Sequence, residues 1–232
     1  MKPAALILLC CGAGAGVGVT QAAERTPFQI RCEDTISKTV SVLSSRQNGF
    51  TINNQLPYRA LTAKSGSIDG RMQTLGLTVT KGLYKASLGG PVLQDPVSGY
   101  ECIAPKVDIT LNYSPVLIYV GNEFVPGSCA YKEILAHEQR HLDAYMENLA
   151  RVERVVSQAL GRRFEGKPLY APSGTAMSAL EHEINGTWFP FIRDEFEKGK
   201  VKQAAIDTPA EYARLAKTCN GEIAAIMQRR RK

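Results

Sequence analysis

Histidine is scarce in this chain: three in 232 residues. There is one tryptophan, and no internal repeat or low-complexity block. The basic residues are dispersed except for the terminal run Arg229-Arg230-Arg231-Lys232, and no aromatics are interleaved with them. That pattern argues against a nucleic-acid partner, which needs a clustered basic surface. After the first two dozen residues no apolar run approaches the ~18 residues of a membrane span. No two cysteines stand in CxxC spacing, so a cysteine-based zinc site is not expected.

What the chain does have begins with its N-terminus. Lys2 precedes an apolar, small-residue stretch from Ala4 to Val19, followed by Thr20-Gln21-Ala22. This reads as a secretory signal peptide covering residues 1–23 and implies a periplasmic or secreted protein. Four cysteines remain: Cys32, Cys102, Cys129 and Cys219. An even count in an exported chain predicts two disulfides with three possible pairings. The pairing expected here is Cys102 with Cys129 and Cys32 with Cys219.

The remainder reads as one α+β domain over 24–232, strand-rich over 24–125 and helical over 128–228. Phe28 to Cys32 alternates like a half-buried strand, and Leu75 to Lys85 looks like strand material interrupted by Gly82. Val107 to Leu111 and Val116 to Val120 are the clearest strands. Ser128 is placed to cap a long helix from about Cys129 to Leu160, with Gly161 as its stop. Further helices are expected from Thr175 to Ile184, from Phe191 to Ala205, and from a capping box at Thr208, Pro209 and Glu211 to about Gln228.

The long helix carries His137-Glu138-Gln139-Arg140-His141. Residues four apart share a helix face, so two imidazoles can address one cation. Glu138, at the edge of that face, can take a proton from a water on the metal and pass it on. Two histidine ligands and an adjacent carboxylate at this spacing are the HExxH pattern of zinc-dependent hydrolysis.

On these residues the chain resembles the zincin-type metallopeptidases. In them a small mixed β-sheet, with an edge strand over the cleft, precedes the HExxH helix and a C-terminal helical part. Val116 to Val120 stands where that edge strand is expected. The run from Val107 through Pro126-Gly127-Ser128-Cys129 to Asp143 is also similar to a bacterial group of predicted secreted zinc-dependent proteases of unknown function. The resemblance implies Zn2+ as cofactor, His137 and His141 as ligands, Glu138 as catalytic base, and a peptide or protein substrate, cell-wall peptide included.

The third ligand is open. Positions 144 and 147 are Ala and Glu, so a third histidine does not follow within the helix. The resemblance points to a glutamate on a later helix, and Glu181-His182-Glu183 lies at the right remove. With Ala176, Met177, Leu180 and Ile184 as the apolar face, Glu181 falls on its flank and His182 points away. Glu181 is therefore favoured, with His182 as alternative and Glu183, Glu147 or no third protein ligand behind them. Asp143, Asn185 and Asp194 are candidates to orient an imidazole, and Tyr145 to stabilise an oxyanion. The competing reading is a non-catalytic zinc-binding or disulfide-stapled envelope interaction protein.

Overall fold

The computed structural model describes residues 24–36, 42–47, 49–66 and 73–231. The expected signal peptide lies outside them. In chain order the elements are α1 (Pro27–Ile36), β1 (Val42–Arg46), β2 (Thr51–Asn53), α2 (Tyr58–Lys64), β3 (Gly76–Val79), β4 (Gly82–Gly89), β5 (Val92–Asp95), β6 (Tyr100–Ile103), β7 (Lys106–Tyr113) and β8 (Leu117–Val120). There follow α3 (Cys129–Phe164), β9 (Leu169–Pro172), α4 (Ala176–Glu183), α5 (Phe189–Glu197), α6 (Lys200–Ile206), α7 (Pro209–Lys217) and α8 (Glu222–Arg231). The fold is α+β, with small mixed sheets ahead of one long helix and a helical C-terminal part.

Two of the three-stranded sheets, in the orders β1-β7-β4 and β2-β8-β3, are the halves of one ribbon. β1 runs parallel to β7 and β2 parallel to β8, and the partner offset is unchanged across the break at Ser114-Pro115. Backbone bonds from Thr51 to Val116 and from Ser114 to Lys81 bridge the break. A third sheet, β5-β6-β9, is antiparallel.

On β7 the alternation read from sequence holds: Val107, Ile109, Leu111 and Tyr113 are buried. They pack against Leu149, Val152, Val156 and Leu160, the apolar stripe of the second half of α3. A second cluster gathers Ala130 and Ile134 of the first half with Phe124, Leu215, Ile223 and Met227. His137, Glu138 and His141 are buried and occupy the same stripe of α3, between these two clusters. Three polar side chains on a core-facing stripe need partners of their own, because burying them unpaired is costly.

Several local expectations change. Phe28 to Cys32 is not a strand but part of α1. Phe28 and Cys32 are buried four residues apart, while Ile30 between them is 44% exposed. Thr26 and Gln29 form a reciprocal capping box that starts the helix at Pro27. Val116 to Val120 is not an edge strand: β8 is the middle strand of its sheet, and β3 lies outermost. Gly161 does not stop α3, which ends three residues later on the buried Phe164 ring, with Gly166 (φ 62°) turning the chain. No break occurs at Asn185-Gly186. A π-turn over Ile184–Trp188 carries α4 into α5, because Leu180, Ile184, Trp188, Ile192 and Phe196 form one buried stripe.

The Ser128 cap is as expected, its hydroxyl accepting from the Tyr131 N–H at 3.1 Å. All four expected cysteines are paired, but as Cys32–Cys102 and Cys129–Cys219. The expected pairing fails because α1 packs on sheet β5-β6-β9 beside Cys102, not on the last helices. Two disulfides belong to an oxidising environment. Among the described residues no helix is long and apolar enough to cross a membrane.

Candidate metal centre

The α3 stripe turns His137 and His141 inward, 5% and 9% exposed. Their Nε2 atoms stand 3.3 Å apart. The third group beside them is Asp207, in the linker between α6 and α7. Its Oδ1 lies 3.1 Å from Nε2 of His137 and 3.4 Å from Nε2 of His141. Among the described residues these three ligand atoms form one of two groups close enough to hold a metal ion, the other being Glu222 with the disulfide-bonded Cys129 and Cys219. The side chain of Asp207 is 41% exposed, so the group opens to solvent on that side.

Each imidazole also has polar partners at its other nitrogen. Nδ1 of His141 is 2.7 Å from the Gln203 Oε1, and the Gln203 amide returns a bond to the His141 carbonyl. Nδ1 of His137 is 2.9 Å from a guanidinium nitrogen of Arg140 and 3.3 Å from the Glu211 carboxylate. Protonated at Nδ1 toward Gln203, the His141 ring leaves its Nε2 lone pair free for a cation, an arrangement usual around metal-ligating histidines. Arg140 also binds Glu211, so the guanidinium and the imidazole share one carboxylate. Arg214 donates to Glu211 as well, and these bonds hold its carboxyl down to about 2. Burial works to raise Asp207. Contacts with His137, His141 and Tyr212 outweigh it and keep its carboxyl well below the ordinary range. The Tyr212 hydroxyl donates to Oδ1 at 2.9 Å.

Glu138 approaches β3. Its carboxylate accepts from the Thr78 hydroxyl at 2.8 Å. Burial pushes its pKa up, and His141, Thr78 and His137 pull the other way. Gly76 permits the approach: a Cβ there would sit 2.6 Å from Oε1 and 2.7 Å from Cγ of Glu138. A buried latch fixes the segment that follows. Asn148 donates to the Tyr113 hydroxyl and to the Phe196 carbonyl, and Gly199 is so close that a Cβ would meet the Asn148 amide at 2.5 Å. This sets where α6 begins, and so where Gln203 and Asp207 fall.

Glu181 and His182 are exposed on α4 and do not join the group. The apolar face drawn for α4 is right in its buried members, but it docks at the far end of α3. Glu183 pairs there with Arg163, and Trp188 packs on Phe164. Arg163 lies about six turns beyond His141, about 33 Å along the axis. Glu147 pairs with Lys202 instead. Asp143, Asn185 and Asp194 are exposed, the last against Arg193. Tyr145 packs on the Tyr113 ring at 5.0 Å.

Asp207, Glu211, Gln203, Tyr212, Thr78 and Gly76 are thus the site residues that sequence reasoning missed. The signal for one of them, Glu211, stood in the capping box that opens, directly after Asp207, at Thr208. Its hydroxyl does cap Glu211 N–H, but the Glu211 carboxylate turns to His137 and Arg140 instead of back to the cap. Comparison with protein-family models, curated proteins and solved structures found no match to this chain.

Proposed function

We propose that this protein is an exported zinc-dependent metallopeptidase, with His137, His141 and Asp207 as the metal ligands and Glu138 as general base. One observation carries the reading. The three ligand atoms stand 3.1, 3.3 and 3.4 Å apart. Three corners of a tetrahedron around zinc at about 2.0–2.1 Å are separated by roughly 3.3–3.4 Å. Larger hard cations would tolerate the spacing but prefer all-oxygen ligands, and two imidazoles argue against them. With three protein ligands in the group, a fourth position stays open, as in catalytic and not structural zinc sites. That favours the enzyme over a non-catalytic zinc-binding envelope protein.

Zinc bound there supplies Lewis-acid chemistry, lowering the pKa of a coordinated water to about 7 and polarising a carbonyl. Glu138 takes the water proton as the water attacks a peptide carbonyl and returns it to the leaving amine. Its burial suits a group that must hold a proton briefly. Thr78 fixes the orientation of its carboxylate. Gln203 holds the His141 ring in the ligating tautomer, Glu211 and Arg140 fix the position of the His137 ring, and Tyr212 keeps Asp207 turned inward. The paired disulfides and the N-terminal apolar segment support a periplasmic or secreted location, where protein or cell-wall peptide is the substrate class.

The test is hydrolysis of casein and of peptidoglycan peptides by the purified, oxidised protein. Activity is expected to vanish with a zinc chelator and return with about one equivalent of zinc. Undiminished hydrolysis after complete metal removal would exclude the mechanism. A zinc-loaded protein that cleaves neither substrate would point to the non-catalytic alternative.

A further inference from the structure

The third corner of the centre rides on a segment with little apolar anchorage. Among the described residues α6 buries none, and α7 buries Leu215 alone. Asp207 stands between them. Polar contacts join this stretch to α3: Gln203 to His141, Glu211 to Arg140, and Arg214 to Glu133. The Arg140 and Arg214 ends of these pairs are exposed, and pairs with an exposed partner hold position weakly.

One covalent tie lies next to them. Cys219 follows α7 and is bonded to Cys129, the first residue of α3, about two turns or 12 Å before His137. Cys219 (φ 57°) and Asn220 (φ 56°) both take the left-handed conformation, ahead of Gly221 (φ 78°). Two consecutive non-glycine residues there persist only where the surroundings impose it. The disulfide is on one side, and on the other Glu222 accepts from the Ala130 N–H at 3.2 Å. Cys129 is exposed, within reach of a reductant, whereas Cys32 and Cys102 are 0% and 1% exposed.

We propose that the Cys129–Cys219 disulfide is a redox latch on the metal centre: formed, it holds α7 and with it Asp207 against α3; opened, it frees the third ligand. This rests on the reading of His137, His141 and Asp207 as a zinc site. The reductant is a dithiol, whether a thioredoxin-type protein or dithiothreitol. One of its thiolates attacks a sulfur of the pair and displaces the other as a thiolate. Its second thiol then resolves the mixed disulfide. Two electrons pass to the protein, leaving two cysteine thiols and an oxidised dithiol. The centre therefore completes itself only in an oxidising compartment, and the chain stays inactive in the reducing one where it is made. Ile223 and Met227 are buried and Glu222 accepts from the Ala130 N–H, contacts that do not depend on the S–S bond, so opening the latch is expected to loosen α7 without unfolding the domain.

Zinc dissociation constants of the wild-type protein and of the Cys129→Ser/Cys219→Ser double variant, measured by chelator competition, test the latch. Serines are used because free thiols bind zinc themselves, and Cys129, Cys219 and Glu222 place their ligand atoms within 4.8 Å. The variant is expected to bind zinc on the order of 10–100-fold more weakly, the size of effect that follows loss of support around a ligand. In an Asp207→Ala background the same pair of serines should cost nothing further, because the latch acts through Asp207. If the double variant lacks wild-type helix content by circular dichroism, dithiol-treated and alkylated wild type takes its place. Equal affinity of the latched and unlatched proteins overturns the latch while leaving the zinc site intact. Absence of zinc binding by the oxidised wild type overturns the zinc reading itself.

Discussion

Glu138→Gln is expected to slow peptide hydrolysis by orders of magnitude while leaving zinc bound. The amide keeps the shape and the bond from Thr78 but cannot accept the proton that the attacking water must lose. General-base catalysis is worth roughly 10²–10⁴ in rate, so kcat should fall by that order with KM little changed. Ligand binding should survive, because Glu138 is not among the three converging atoms. Steady-state kinetics on casein peptides, with zinc content measured on the same samples, checks both halves. A variant that retains wild-type kcat contradicts the role given to Glu138.

Asp207→Ala should have the larger effect on the metal. It removes one of three ligands and leaves two imidazoles with an exposed gap between them. Zinc affinity is expected to drop by more than the roughly 10–100-fold typical of losing an outer-sphere partner. Glu181→Ala and His182→Ala, by contrast, should bind zinc as the wild type does, since both side chains are exposed on α4, far along α3 from the histidines. Chelator competition across the three variants separates these outcomes.

The contrast between Asp207 and Glu181 shows how far the sequence can be read. His137, Glu138 and His141 are legible because helix periodicity is a local rule, and a 36-residue helix obeys it. The long helix, its Ser128 cap and strand β7 follow from equally local chemistry. The face of α4 is legible too, in that Ala176, Leu180 and Ile184 are buried. What a face packs against is not local. The unbroken stripe from Leu180 to Phe196 starts at the far end of α3, with Glu183 on Arg163, and runs back along it until Glu195 and Phe196 meet Arg151 and Asn148; the turn at Gly199, pressed on Asn148, then sets α6 toward the histidines. Asp207 arrives at the histidines by that return. Before the fold is known, it reads as a polar residue preceding a helix cap. The disulfide pairing fails for the same reason: the alternation of Phe28 to Cys32 does not say that this segment is a helix packed beside Cys102.

The most direct test of the three-ligand centre is the zinc-edge anomalous signal from crystals of the protein grown with zinc. One peak is expected between Nε2 of His137, Nε2 of His141 and a carboxylate oxygen of Asp207, each at about 2.0–2.1 Å. A peak held by the two histidines with Asp207 turned away, or a zinc ion bound elsewhere with these histidines bare, would contradict it.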